Sequence, residues 1–199
     1  MEAKTLNQTR VEAAKPAPSK SMAEPLVGKR AGAFPVQMPC ELNEALLRSV
    51  EAGNKNGAER LLKAGASPDS KCSLVRSALK EAVLTGKEDI AELLIAGGAE
   101  ANAGHADENA LLRWAATSGK TKIVKLLIDA GAEVNPKPGM TPALIHASMN
   151  GQTEIVKLLL DAGAEVNARD KHGWTALTWA DGGNHRETVE LLKGRGGAA

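Results

Sequence analysis

The sequence predicts an all-α solenoid of about five stacked helix–turn–helix repeats, and three recurring features of the 199-residue chain lead to this prediction. A Gly-Ala pair recurs at intervals of 33, 33 and 32 residues, and a leucine-rich stretch precedes each pair. A further glycine, replaced by asparagine in the last copy, lies 12 residues before each pair. A period of this length is typical of solenoids, in which each unit buries its apolar face against its neighbours. The pairs are Gly65-Ala66, Gly98-Ala99, Gly131-Ala132 and Gly163-Ala164.

The third copy shows why each repeat holds a first helix. Residues 110–118 contain no Gly or Pro, and Leu111, Leu112 and Ala115 lie on one helical face. We expect Gly119 to end this helix, because glycine adopts the left-handed conformation after a helix at little cost.

A second, antiparallel helix follows in the same copy. Apolar residues at 123, 124, 126, 127 and 130 form a stripe along it, and Gly131 ends it. Val134-Asn135 then starts an extended turn, where the Asn side chain can bond nearby backbone groups. Both helices are too short to be stable alone, so stacking must stabilise them.

Residues 1–40 differ from the rest in composition. They contain Pro16, Pro18, Pro25, Pro35 and Pro39, and their six basic and three acidic residues give a net charge of +3. Because no helical or strand period runs through them, we expect a disordered tail, either a solubilising leader or a short basic docking arm.

Composition excludes several classes of protein. Residues 41–199 carry a net charge of −2 and the chain has only four aromatic residues, which argues against nucleic-acid binding. No apolar run approaches the ~18–20 residues that span a bilayer, and no signal peptide is expected at the N-terminus.

The two cysteines, Cys40 and Cys72, lie 32 residues apart with no neighbouring His or Cys, so they do not form a zinc site of ordinary spacing. We interpret them as two reduced thiols rather than a disulfide, which favours a cytoplasmic location.

No catalytic motif accompanies the repeats. The stretch at 118–121, Ser-Gly-Lys-Thr, is similar to part of a phosphate loop, but Trp114 stands where the first glycine is required, and the stretch lies between two predicted helices. The histidines are scattered over three copies. We therefore expect no enzyme activity, no metal and no cofactor.

Two strings carry a family resemblance. LLIDAGAEVN at 126–135 and LLLDAGAEVN at 158–167 are similar to the end of an ankyrin repeat, and GWTALTWA at 173–180 resembles its start. The resemblance covers 41–199 and implies an ankyrin repeat domain with short β-hairpin turns. Its repeats are expected at about 41–71, 72–104, 105–135, 136–168 and 169–199.

The copies depart from the family pattern at two places. Only Thr141-Pro142 keeps the family's Thr-Pro pair, although Ser77 and Thr175 can still cap a helix N-terminus. No copy has the usual His of the first helix, which implies looser loops. The polar first copy and the short fifth copy resemble the caps that solenoid ends require.

The resemblance implies a protein partner docked on the concave side, formed by hairpin tips and first helices. Trp174, Met140 and Met149 are the expected anchors, because exposed Trp beside flexible Met is typical of interfaces. The expected polar rim comprises Asp107, Asn109, Thr117, Ser118, Asn150, Lys171 and His172. Leu84 and Gly182 occupy further variable places at the ends of first helices.

Two interpretations stay open for the tryptophans. Trp174 either packs over its own hairpin or anchors a partner. Trp114, His146 and Trp179 occupy the same place in successive copies, one residue before the recurring Ala, and we interpret them as packing between first helices. The predicted function is a monomeric, non-catalytic protein-binding module. The alternative is a scaffold whose basic tail docks on nucleic acid or an anionic membrane.

Overall fold

The computed structural model describes residues 39–69, 77–102, 110–137 and 140–199, and these contain ten α-helices. Within each copy two helices pack together, joined by a short turn that makes them antiparallel. The helices are α1 (Pro39–Glu51), α2 (Lys55–Lys63), α3 (Ala78–Leu84), α4 (Glu88–Ala96), α5 (Ala110–Thr117), α6 (Thr121–Asp129), α7 (Ala143–Met149), α8 (Thr153–Asp161), α9 (Ala176–Gly182) and α10 (Arg186–Gly194).

The helices form two layers. Each first helix packs on the first helix of the next copy, from α1 through α9, and each second helix packs on the next second helix, from α2 through α10. This arrangement confirms the predicted solenoid.

The core repeats from copy to copy. Leu94, Leu127, Leu159 and Leu192 occupy the same place in successive second helices, and all four are fully buried. Burying a leucine stabilises a fold by roughly 1.5–3 kcal/mol relative to leaving it exposed. The predicted apolar stripe is therefore what holds neighbouring copies together.

The expected helix signals act as predicted. Gly119 follows α5 with φ +67°, and Asn184 follows α9 with φ +58°, so both take the left-handed conformation. The Ser77 hydroxyl accepts the backbone N–H of Lys80 at 3.1 Å, and the Thr175 hydroxyl accepts that of Thr178 at 3.3 Å. Both residues cap the first helix of their copy.

The hairpins are less regular than the family resemblance implies. No β-strand forms in the ranges that the structure describes, and one isolated antiparallel bridge joins Arg169 to Thr175. The arms of this hairpin are short, and the bond from the Asp170 N–H to the Trp174 carbonyl at 3.0 Å lies inside it.

Asparagine side chains join neighbouring copies at the end of the helices where the hairpins lie. Asn102 donates to the Gly131 carbonyl and accepts from the Glu133 N–H, both at 3.0 Å. Asn135 makes the same two bonds to residues 28 and 30 positions further on. We expected Asn135 to bond backbone near it in the chain, and the bonds instead cross to the next copy. Asn167 repeats the pattern.

Long polar side chains join the copies at the opposite end of the helices. Lys87 Nζ donates to the carbonyls of Val50 and Glu51, both at 2.7 Å. One ring nitrogen of His185 lies 3.0 Å from the Met149 carbonyl. Each side chain reaches back to the end of the preceding first helix, whose last carbonyls lack partners within the helix.

The expectation for the cysteines needs correction. Helix α1 begins at Pro39, two residues before the expected start of the repeat domain. Cys40 is disulfide-bonded, so the expectation of two reduced thiols is wrong for Cys40, and the cytoplasmic location that rested on it loses this support. Cys72 and the expected tail up to residue 38 lie outside the described residues.

None of the helices in the described ranges has the length and apolar character needed to cross a membrane.

Candidate binding surface

The hairpin of the fifth copy is built around one carboxylate. Asp170 Oδ1 accepts the backbone N–H groups of His172 at 2.8 Å and Trp174 at 3.0 Å. Its Oδ2 accepts the indole N–H of Trp179 at 2.9 Å. The Arg169 guanidinium adds a bond to the Gly173 carbonyl at 2.5 Å. These bonds fix the backbone that carries Trp174.

The charge of Asp170 is favoured by this arrangement. Burial raises the pKa of the carboxyl, but the donated hydrogen bonds from Trp174, Trp179 and His172 outweigh it, and the pKa lies below its ordinary value. At neutral pH Asp170 is therefore ionised, and its carboxylate accepts the hydrogen bonds that hold the hairpin.

Trp174 both packs locally and faces solvent. Its ring lies against that of Trp179, with centroids 4.8 Å apart and planes tilted by 58°. Trp174 nevertheless remains 48% exposed. The interpretation that Trp174 packs over its own hairpin is therefore supported by the contact with Trp179, and partner anchoring by its exposed part stays a prediction.

The side chains that precede the recurring Ala differ in their exposure from copy to copy. His146 and Trp179 are half-buried, as expected for packing between first helices. Trp114 is 50% exposed, so packing between first helices does not cover the whole of this side chain. Its helix α5 packs against α7.

His146 is electrostatically neutral in this setting. Burial lowers the pKa of its imidazole, and the positive charge of Arg113 lowers it further. Its Nδ1 is buried without a hydrogen-bond partner among the described residues. At neutral pH the imidazole of His146 is therefore uncharged.

The structure leaves three large apolar side chains of the described residues exposed. They are Leu84, Trp114 and Trp174, with exposures of 45%, 50% and 48%. Each belongs to a first helix or to a hairpin. We did not select Leu84 or Trp114 as site residues from the sequence, although the variable place of Leu84 at the end of α3 was recognisable there.

The other predicted anchors are half-buried. Met149 ends α7, at the place that Leu84 occupies in α3, and Met140 lies just before α7.

The predicted rim is partly engaged within the protein. The Asn150 amide donates to the Thr117 carbonyl at 3.1 Å, and the Thr117 hydroxyl donates to the Arg113 carbonyl at 2.8 Å. Ser118, Lys171 and His172 are exposed. Asp107 and Asn109 lie outside the described residues.

The described residues hold no cluster of three or more His, Cys, Asp or Glu side chains suited to a metal ion. The Ser-Gly-Lys-Thr stretch at 118–121 joins α5 to the first residue of α6, as expected, and does not follow a strand.

A two-layer stack of short helix pairs defines a helical repeat protein. The chain belongs to the ankyrin repeat family: a family model described as ankyrin repeats (3 copies) matches residues 46–138 and 112–198. Ankyrin repeats generally act as protein–protein interaction modules and are typically non-catalytic. A comparison with curated protein sequences gave no match.

Proposed function

We propose that this chain is a monomeric, non-catalytic module that binds a protein partner through the concave face of its ankyrin stack. The observation that carries the proposal is the exposure of large apolar side chains on first helices and on a hairpin, in particular Trp114 and Trp174. First helices and hairpin tips form the concave side in the ankyrin family, and exposed apolar side chains grouped there would mark an interaction surface.

Trp174, Met140 and Met149 act as anchors in this proposal. Tryptophan is enriched among the residues that dominate binding energy, and methionine adapts its shape to a partner. Trp174 is held by the Asp170 hairpin before any partner arrives, so little further ordering is needed on binding. Leu84 and Trp114 extend the anchoring surface towards the middle of the stack.

The rim supplies specificity around these anchors. Thr117, Ser118, Asn150, Lys171 and His172, with Asp107 and Asn109, offer hydrogen bonds around the apolar centre. A stable interface of standard size buries roughly 800 Å² on each side, and a face made by five copies is large enough for this.

The test is capture of partners by the purified chain, with identification by mass spectrometry. Replacing Trp174 and Met149 together by Ala is expected to abolish capture of the partners that the unmodified chain retains. Lys125→Ala, on the exposed side of α6, is the matched control and should capture normally. Undiminished capture by the double variant, with an unchanged circular dichroism spectrum, would refute the proposed anchors.

A further inference from the structure

We propose that His146 makes the stack sensitive to acid, because protonation of its imidazole loosens the contacts that helix α7 makes with α5 and α9. This device belongs to the fold of the third, fourth and fifth copies, and it does not depend on the proposed binding function.

His146 lies on the central helix of three first helices that pack in sequence. Helix α7 contacts both α5 and α9, and it also packs on α8 of its own copy. The His146 side chain is half-buried. Most of the other residues of α7 are fully buried, namely Ala143, Leu144, Ile145, Ala147 and Ser148. A charge that appears on this helix must therefore be accommodated at closely packed contacts with two neighbouring copies.

The buried nitrogen of the imidazole has no group to receive a proton bond. Nδ1 of His146 is buried without a hydrogen-bond partner among the described residues. A neutral imidazole carries one N–H, whereas the protonated ring carries an N–H on both nitrogens. Protonation therefore makes Nδ1 a charged donor at a place where the described residues offer it no acceptor. Burying an unpaired charged donor is costly, so the protonated ring favours an opened contact.

The charged groups around α7 add to this cost. Helix α7 itself carries no charged residue besides His146, and α5 contributes Arg113. Helices α8 and α9 contribute four exposed charged groups, Glu154, Lys157, Asp161 and Asp181. Among the described groups, Arg113 is the one whose charge acts on the imidazole. Burial first, and then the positive charge of Arg113, lower the pKa of His146.

The neutral imidazole therefore favours the native state. Because the pKa of His146 is lowered from the ordinary 6.5, the native protein binds this proton less readily than the unfolded chain does. The stabilisation is complete well above pH 6.5, and it is lost as the pH falls from about 6.5 through the native pKa. Most carboxylates titrate below this range, so the loss begins in mildly acidic solution before they are protonated.

The test compares the unmodified chain with His146→Gln, whose side chain is of similar size and stays uncharged. His172→Gln, which removes an exposed histidine from the hairpin of the fifth copy, is the matched control. Urea denaturation at about pH 7.5 and about pH 5.5 gives the equilibrium constant for unfolding of each protein. On acidification, this constant should rise at least about threefold more for the unmodified chain and for His172→Gln than for His146→Gln.

Amide hydrogen exchange, corrected for the intrinsic effect of pH, locates the change. In the unmodified chain at about pH 5.5, protection should fall in α5, α7 and α9 and persist in α2 to α4, and His146→Gln should abolish this difference. An NMR titration of the imidazoles in the unmodified protein provides a measurement that needs no variant to fold. The His146 imidazole should titrate below about pH 6.5.

Three results would each overturn the proposal. One is an equal dependence of unfolding on pH in all three proteins. Another is a native His146 imidazole that titrates at or above about pH 6.5. The third is a loss of protection in acid that is spread evenly over the five copies.

Discussion

At the scale of single residues, the asparagine bonds at the hairpin end identify Asp69 as a weak point. Asp69 occupies the place that Asn102 takes in the next copy, and its Oδ2 accepts the Glu100 N–H at 2.8 Å just as Asn102 accepts that of Glu133. The Asn102 amide also donates to a glycine carbonyl, which an ionised carboxylate cannot do. Asp69 Oδ1 is buried without a partner among the described residues.

Asp69→Asn is therefore expected to stabilise the fold by about 1 kcal/mol at neutral pH, because it supplies the missing donor. Urea denaturation followed by circular dichroism measures the change. Glu92→Gln, which removes an exposed carboxylate from α4, is the control and should have little effect.

The gain from Asp69→Asn should depend on pH. Burial raises the pKa of Asp69, so the native state binds its proton more readily than the unfolded chain does. The unmodified protein therefore loses stability as pH rises through the native pKa, and it regains stability as pH falls. The difference between variant and unmodified protein should be largest at pH 7 and should shrink towards pH 4. A difference that is constant with pH would show that ionisation of Asp69 is not the cause.

Asn184 is the one non-glycine residue of the described ranges with positive φ. Asn184→Gly is expected to raise the free energy of unfolding by about 0.5–1 kcal/mol, because glycine adopts this conformation without steric cost. Asn150→Gly replaces the same residue type at φ −95°, where it also removes the bond to Thr117, and should destabilise. Thermal unfolding of the two variants should shift in opposite directions.

At the scale of helices, the first helices α1 and α7 receive a C-terminal cap from a side chain of the following copy. The ammonium group of Lys87 lies at the C-terminal end of α1, where it donates hydrogen bonds to two carbonyls. Its positive charge also interacts favourably with the negative end of the helix dipole. Asn54 occupies the equivalent place in the first copy, and it caps its own helix α2 through the Gly57 N–H at 2.9 Å. With no copy before it in the described stack, Asn54 serves a local role.

Lys87→Ala is expected to cost about 1–2 kcal/mol of stability, since it leaves two carbonyls of α1 without their charged donor. Lys125→Ala should change stability by less than about 0.5 kcal/mol because Lys125 is exposed on α6. Chemical denaturation compares the two. Equal small effects would show that the Lys87 bonds do not contribute in solution.

At the scale of the whole molecule, the repeat period was sufficient to predict the helix pairs. Glycine, leucine and alanine recur where the stack needs helix ends, buried apolar side chains and close contact. Exposure was harder to predict, because the burial of a side chain such as Trp114 depends on how its helix α5 packs against the helices of neighbouring copies. The cost of Asp69 likewise depends on the backbone of the next copy. Such neighbours are set by the three-dimensional packing of the copies and cannot be read from the local sequence pattern.

The effect of truncating a buried leucine should depend on whether its copy lies in the middle or at the end of the stack. Leu127→Ala in the third copy and Leu192→Ala in the fifth remove equivalent, fully buried side chains, each at a cost of about 2–5 kcal/mol. Because copies contact only their neighbours, Leu192→Ala should open the fifth copy locally, whereas Leu127→Ala should weaken both halves of the stack.

Amide hydrogen exchange distinguishes these responses. For Leu192→Ala, exchange should accelerate in α9 and α10 and stay slow in α3 to α6. Uniform acceleration along the whole chain would instead show that the five copies unfold as one cooperative unit.

The paired side-chain bonds between copies have a mechanical consequence. Asn102 is hydrogen-bonded to the next copy at one end of the helices, and Lys87 of the same copy is hydrogen-bonded to the previous copy at the other end. Bending or twisting one of these copies against its neighbour would therefore break a hydrogen bond. These bonds therefore resist relative movement of neighbouring copies, and a partner of the kind proposed would have to adapt its own shape to the stack.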